Sequence, residues 1–143
     1  MTPKTQKNRY GNVRTEIDGI IFDSKLEARF YEYIKRLKAD GHIKNFELQK
    51  KFLLLDAFEK NGEKFRKIEY VADFVIYHHD GSMEVMDTKG VETDIFKVKR
   101  KLFEKNYPDL TLQAITYSKI DGGWKLLSEV KEARKKRKKA KES

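Results

Sequence analysis

Tyr70-Val71-Ala72-Asp73-Phe74-Val75-Ile76-Tyr77-His78-His79-Asp80-Gly81-Ser82-Met83-Glu84-Val85-Met86-Asp87-Thr88-Lys89 reads as two adjacent strands joined by a tight turn. The first, from Ile68 to Tyr77, is apolar on both faces yet holds one carboxylate, Asp73, near its middle. Asp80-Gly81 is the dipeptide that hairpin turns favour. In the second strand, Met83, Val85, Asp87 and Lys89 alternate onto one face. An acid and a base two residues apart thus project from one side of a strand, about 7 Å apart along it. A carboxylate in so apolar a strand costs several kcal/mol, on the order expected for a buried unpaired charge. A divalent cation with an anionic substrate is one way to offset that cost.

Outward from this pair, the chain reads as helix, three strands, helix, strand. Asn12–Ile17 and Gly19–Phe22 suggest a short hairpin turning at Asp18-Gly19. Leu26, Phe30, Tyr33, Ile34 and Leu37 recur at helical spacing after Ser24, and Asp40-Gly41 supplies a stop. Residues 46–56, 65–77 and 83–89 form the simplest antiparallel meander, with Asn61-Gly62 turning between the first two. Thr93-Asp94 opens a second helix that ends before Pro108. Leu110–Tyr117 is then a strand, parallel to residues 83–89 through a helical crossover. Trp124–Leu127 adds a short apolar segment, and a basic tail, helical from Ser128, ends the sequence. These elements make a mixed-sheet α/β domain with helices packed on the sheet.

Composition narrows the function classes. The sequence of 143 residues has the length of one domain and contains no cysteine, so disulfides and thiolate-bound zinc are excluded. No run of 18 apolar residues and no apolar signal core occur, which predicts a soluble, cytoplasmic protein with no membrane association. The net charge of +9 is uneven. Residues 131–143 hold eight Lys/Arg against two Glu, and residues 1–14 hold four Lys/Arg and no acid, while residues 15–130 are nearly neutral. Two basic arms, with residues 1–10 expected to be disordered, flank a domain over residues 11–127 and suit a polyanion such as DNA. The tail cluster Arg134, Lys135, Lys136, Arg137, Lys138 and Lys139 is the expected DNA contact within the tail at 128–143; a solvated solubility tail is the plainer reading.

Glu27 has two readings. Ser24 and Glu27 fit a capping box, the glutamate folding back onto the Ser24 backbone N–H. The same residue lies close in azimuth to Ile34, so its carboxylate can instead enter a pocket beside the sheet. Asp87 and Lys89 taken alone are an ordinary half-exposed ion pair. Together with Asp73 and Glu27 they form a set of hard oxygen donors beside one ammonium, suited to Mg²⁺, with Mn²⁺ as a substitute. In that reading Asp73, Asp87, Glu27 and the Thr88 backbone carbonyl bind metal, and Lys89 orients water and offsets charge on a phosphate. Lys99 and Gln113 are second-rank candidates for contact with phosphate, and Gln49 ranks below them. His78 and His79 read as solvated turn residues, and Tyr117 and Trp124 as packing rather than base-stacking residues.

The order of elements with Asp73, Asp87-Thr88-Lys89 and Glu27 resembles the PD-(D/E)XK nuclease superfamily over residues 20–117, with Ala72 where proline is common. Asp18–Ala28, Tyr70–Phe74 and Asp87–Gly90, with Thr93, Phe96 and Lys99, more closely resemble a small phage family. That family, formerly a domain of unknown function, is described as Holliday-junction-resolvase-like. The resemblance implies a restriction-endonuclease-like core carrying an N-terminal hairpin and a basic C-terminal tail. It implies a Mg²⁺-dependent endodeoxyribonuclease acting as a homodimer on branched DNA in phage recombination, within the bacterial host cytoplasm. Two alternatives stand beside it: a non-catalytic DNA-binding module, and a nuclease subunit of a larger recombination or transposition complex.

Overall fold

The computed structural model describes the backbone of residues 4–7 and 13–142 and the side chains of residues 13–142. In chain order the elements are β1 (Lys4–Lys7), β2 (Val13–Ile17), β3 (Ile20–Phe22), α1 (Lys25–Ala39), β4 (Asn45–Leu55), β5 (Phe58–Lys60), β6 (Glu63–Phe65), β7 (Ile68–Tyr77), β8 (Met83–Thr88), α2 (Asp94–Asn106), β9 (Leu112–Ser118), β10 (Gly123–Leu126) and α3 (Leu127–Glu142). The main sheet has five strands in the order β10-β9-β8-β7-β4. All neighbours run antiparallel except β8 and β9, which are parallel and joined through α2. The result is a mixed α/β fold.

Local chemistry sets the element ends. The Ser24 hydroxyl accepts from the Glu27 N–H at 3.1 Å and starts α1. Gly41, at φ +79°, ends it: the Gly41 N–H reaches Lys38 O and the His42 N–H reaches Leu37 O, the paired bonds of a Schellman cap. Thr93 caps α2 in the same way as Ser24 caps α1, accepting from the Phe96 N–H at 3.1 Å. Asp18-Gly19 and Asn61-Gly62 each place two consecutive residues at positive φ, the requirement of a two-residue hairpin turn.

Both faces of the sheet are covered. Phe30 and Ile34 of α1 pack with Phe74, Ile76 and Ile115 on one face. Phe96 and Phe103 of α2 pack with Phe52, Tyr70, Val85 and Leu112 on the other, joined by Leu127 at the start of α3. This double covering accounts for the apolar character of the Ile68–Tyr77 strand on both sides. No helix among the described residues is long and apolar enough to cross a membrane.

The structure departs from the sequence reading in three places. The strand expected over 65–77 is divided, because Phe65 closes a separate ribbon with Phe58, their rings stacked at 4.7 Å. Trp124 belongs to a fifth strand of the main sheet, paired with β9. Lys4–Lys7, within the segment expected to be disordered, pair with Val13–Glu16 as an edge strand. The rest of that expectation, at residues 1–3 and 8–10, lies outside the described residues.

Candidate functional site

The site is a fork in the sheet. Pairing between β7 and β8 ends at Phe74↔Met86, although β7 continues along β4 and β8 continues along β9 to Thr88↔Ile115. Asp73 and Asp87 are the first residues beyond the last shared rung. Where strands part, backbone groups lose their ladder partners and must find others. Here the two carboxylates serve: Asp87 Oδ1 accepts from the Asp73 N–H at 2.7 Å, and Asp73 Oδ2 accepts from the Thr88 N–H at 3.3 Å.

A second irregularity lies beside the first. The β4–β7 ladder passes from Leu48↔Phe74 to Lys50↔Ala72 and omits the Gln49/Asp73 rung. Gln49 is at φ +57°, a left-handed conformation uncommon outside glycine. On one side of the omitted rung Phe46, Leu48, Phe74 and Ile76 face α1. On the other, Phe52, Leu54, Tyr70 and Ala72 face α2. All eight are even-numbered and in regular strands would share one face. The strand pair therefore turns over at this rung, and Asp73 sits at the crossover with Gln49 across from it.

Glu27 enters from α1 and is 7% exposed. Its backbone N–H completes the Ser24 cap, while its carboxylate accepts from Gln49 Nε2 at 3.3 Å. Only the serine half of the expected capping box forms; the Glu27 carboxylate turns to Gln49 and the Asp23 backbone instead of the Ser24 N–H. Gln49 also favours the charged form of Asp73, so one amide serves the acids from α1 and β7. The sequence reading ranked Gln49 last; only its left-handed backbone marks it, and that is visible in three dimensions alone.

Asp87 faces α2, 3% exposed, with the Tyr70 hydroxyl donating to its Oδ2. Lys89 Nζ lies 3.7 Å from the same oxygen and 4.8 Å from the centre of the Phe96 ring. Burial pushes Asp87 up to about 6 against the opposing pull of the Asp73 N–H and Lys89. Burial, then the nearby charges of Asp73 and Asp23, pushes Glu27 up to about 8. Asp73 is raised by burial too, with Lys89 the largest influence in the other direction. Asp73 and Asp87 share the Lys89 ammonium, Glu27 has none beside it, and all three are raised toward their protonated forms.

That surplus of oxygen donors and shortage of positive charge fits a hard divalent cation. Glu27, Asp73, Asp87 and the Thr88 carbonyl are the available donors. Among the described residues no three His, Asp or Glu side chains are already gathered as a metal cage. The acids are linked through Gln49 and the Asp73 N–H instead.

Among the described residues none of the other candidate side chains is hydrogen-bonded or ion-paired to these acids. Lys99 is half-buried on α2, one turn beyond Phe96. Gln113 pairs with Met86 and lines a groove of about 420 Å³ with Phe30, Ile115 and Trp124 on the α1 face; it is not brought to the carboxylates. On α3, Arg134, Lys135, Lys136, Lys138 and Lys139 are exposed, whereas Arg137 donates to Asp121 Oδ1 at 2.6 Å. Lys131 Nζ, 3.8 Å from Glu92, ties the start of α3 to the loop that follows Lys89. His78 pairs with Glu84 at 3.2 Å and His79 contacts Gly41 O, both at the turn between β7 and β8.

A model of the family described as "Protein of unknown function (DUF1064)" matches residues 7–121. No curated protein and no solved structure matches the chain.

Proposed function

The chain belongs to the DUF1064 family, whose description carries no activity, and from the geometry of its fork we propose a divalent-metal-dependent endonuclease that hydrolyses phosphodiester bonds in DNA. The observation that carries this reading is the meeting of three carboxylates, from α1, β7 and β8, linked through Gln49 and the Asp73 N–H with Lys89 beside Asp87, where two strands part. The succession α1, β4, β7, β8, α2, β9 supports it, since it is the order expected of a PD-(D/E)XK core.

Asp73, Asp87, Glu27 and the Thr88 carbonyl would hold Mg²⁺ or Mn²⁺. When bound, the ion supplies positive charge to phosphate oxygens and acidifies water. Lys89 stands beside Asp87, where its ammonium can neutralise charge that develops on the phosphate or hold the attacking water by hydrogen bond. The Tyr70 hydroxyl and the Asp73 N–H fix the Asp87 carboxylate, and Gln49 fixes Glu27. The exposed lysines and arginines of α3 supply sequence-independent attraction to DNA, and their tether through Lys131 to Glu92 keeps that charge near the fork. A branched substrate and a two-fold dimer belong to the same proposal, because cutting paired strands of a junction requires two sites.

A second reading rests on one observation: Asp87 already has a structural task in accepting from the Asp73 N–H. If that task were its whole role, the protein would bind DNA without cutting it. Asp87→Asn separates the two, because the amide oxygen can still accept from Asp73. Tested on four-way junction, flap, nicked and plain duplex DNA, the variant should lose cleavage in Mg²⁺ or Mn²⁺ by about a hundredfold or more, the scale for removing a transition-state contact. Binding in Ca²⁺ should persist. Wild-type protein that cuts none of these substrates, or a variant that cuts as well as wild type, would overturn the nuclease reading.

A further inference from the structure

Tyr117 is more than a third exposed and carries the Arg29 guanidinium 4.3 Å above its ring. Trp124 lies directly across from it on β10, 5.3 Å between ring centres at 74°, and is backed in turn by Phe30 and Tyr33. The expectation that both aromatics serve packing holds for Trp124; Tyr117 presents its ring at the surface. Arg29, Glu32, Arg36, Tyr117 and Trp124 line an open cleft of about 250 Å³.

Its position matters. Arg29 is two residues beyond Glu27 on α1 and so projects from the other flank of the helix, toward β9 and β10 rather than Gln49. Tyr117 is two residues beyond Ile115, whose carbonyl accepts from the Lys89 N–H at 2.8 Å. Two residues of strand span about 7 Å, so Tyr117 lies that far along β9 from the backbone beside Lys89, a reach comparable to one nucleotide step from a strand held at the fork. We propose that this cleft receives an unpaired nucleobase of the strand held at the fork, stacked on Tyr117 beside Arg29. The inference rests on the nucleic-acid reading above and deepens it by naming the feature of the substrate that is read.

The chemistry favours a base over a bare phosphate. An aromatic face and a guanidinium plane both stack on bases and tolerate any of the four. The two arginines flank a carboxylate, Glu32, which would repel a phosphate but accepts from an exocyclic amino group. Arg36, two turns along α1 from Arg29, remains available for the adjoining phosphate. A fully paired duplex has no base free to enter.

Trp124 is the protein's single tryptophan and lines both this cleft and the groove on the α1 face, so its emission is read beside variants of Tyr117 and Arg29, which line the cleft and not the groove. In Ca²⁺, a junction or gapped duplex with unpaired nucleotides should change Trp124 emission, and a blunt duplex should not. Tyr117→Ala should weaken binding to the unpaired substrate about tenfold, the scale for losing one stacked base, while Tyr117→Phe should retain it. Arg29→Gln, at an exposed position, gives the same comparison if Tyr117→Ala fails to fold. Equal emission changes with blunt and gapped DNA, or equal affinity of wild type and Arg29→Gln for gapped DNA, would overturn the inference. These are binding measurements. Loss of the nuclease reading would leave the emission change in place, and loss of the cleft reading would leave Asp87-dependent cleavage in place.

Discussion

Asp18, Asp80 and Asp121 sit in hairpin turns, and Glu27, Asp73 and Asp87 sit at or beside the fork between β7 and β8; the two sets are opposite in their electrostatics. Each turn acid has donors of its own. Asp18 accepts from Lys35 and Tyr31, Asp80 from the Ser82 hydroxyl and N–H, and Asp121 from Arg137 and Ser118. All three are held below the ordinary carboxylate range by those hydrogen bonds. The fork acids are all raised, chiefly by burial. The turn aspartates are stabilised in their ionised form by the bonds they accept; the fork carboxylates are buried in a way that favours their protonated form. Raised acids gathered in one place are what the proposed metal site requires.

The largest contrast follows from removing one charge of each kind. Asp73→Asn should lower metal-dependent DNA cleavage by about a hundredfold or more. Asp80→Asn, in the turn at the other end of β7, should leave cleavage at the wild-type rate. Initial rates on one branched substrate measure both. Equal losses would mean that the fork acids matter to the fold in the same way as the turn acids.

pH sharpens the contrast because the two sets act with opposite sign. A carboxyl raised in the folded state favours folding most below its unfolded pKa, and that advantage is lost as pH rises through the folded value. Glu27, ordinarily 4.5 and here about 8, and Asp87, ordinarily 3.8 and here about 6, should therefore make the metal-free protein less stable between about pH 4 and pH 8 as pH increases. The lowered turn aspartates contribute above 3.8 and lose that contribution as pH falls. Thermal melts in chelator should show Tm falling from pH 5 to pH 8, by an amount on the order of a few kcal/mol in stability. Saturating Mg²⁺ or Mn²⁺ should restore Tm at pH 8. Glu27→Gln should flatten the chelator profile and shrink the metal effect. A profile in chelator that rises toward pH 8 would contradict the buried-acid assignment.

Much of the frame is legible in the sequence because it depends on local rules. Asp18-Gly19 and Asn61-Gly62 announce turns since few other pairs accept two positive φ values, and Ser24 and Thr93 announce helix starts through their hydroxyls. Asp87 and Lys89 follow from simple alternation. The turnover at Gln49 and Asp73 is hidden by that same rule. Phe46, Leu48, Phe52 and Leu54 keep one parity in sequence, with only Lys50 interrupting the apolar series, yet they serve two different cores. Gln113 shows the converse: strand periodicity locates it on β9, but only the fold shows that it lines the groove on the α1 face. The four-residue β10, entered through Gly122-Gly123, is too short for periodicity to declare it.

Gln49 permits the finest test, because its backbone and its amide do separate things. Its left-handed φ of +57° lets the strand pair turn over, and its Nε2 holds Glu27. Gln49→Gly keeps the conformation at lower strain and deletes the amide, whereas Gln49→Ala retains the strain and deletes the amide as well. Glycine should therefore be the more stable of the two by about 1 kcal/mol, the usual cost of a left-handed conformation for a residue with a Cβ. If the amide matters through Glu27 and Asp73, both variants should lose similar activity, about tenfold, the scale of losing a group that orients a metal ligand. Urea denaturation in chelator reads the first difference, and cleavage rates across a metal titration read the second. Should glycine restore full activity, the fork would owe its acids to the turned-over backbone alone, and the amide between α1 and β7 would serve only to fill space.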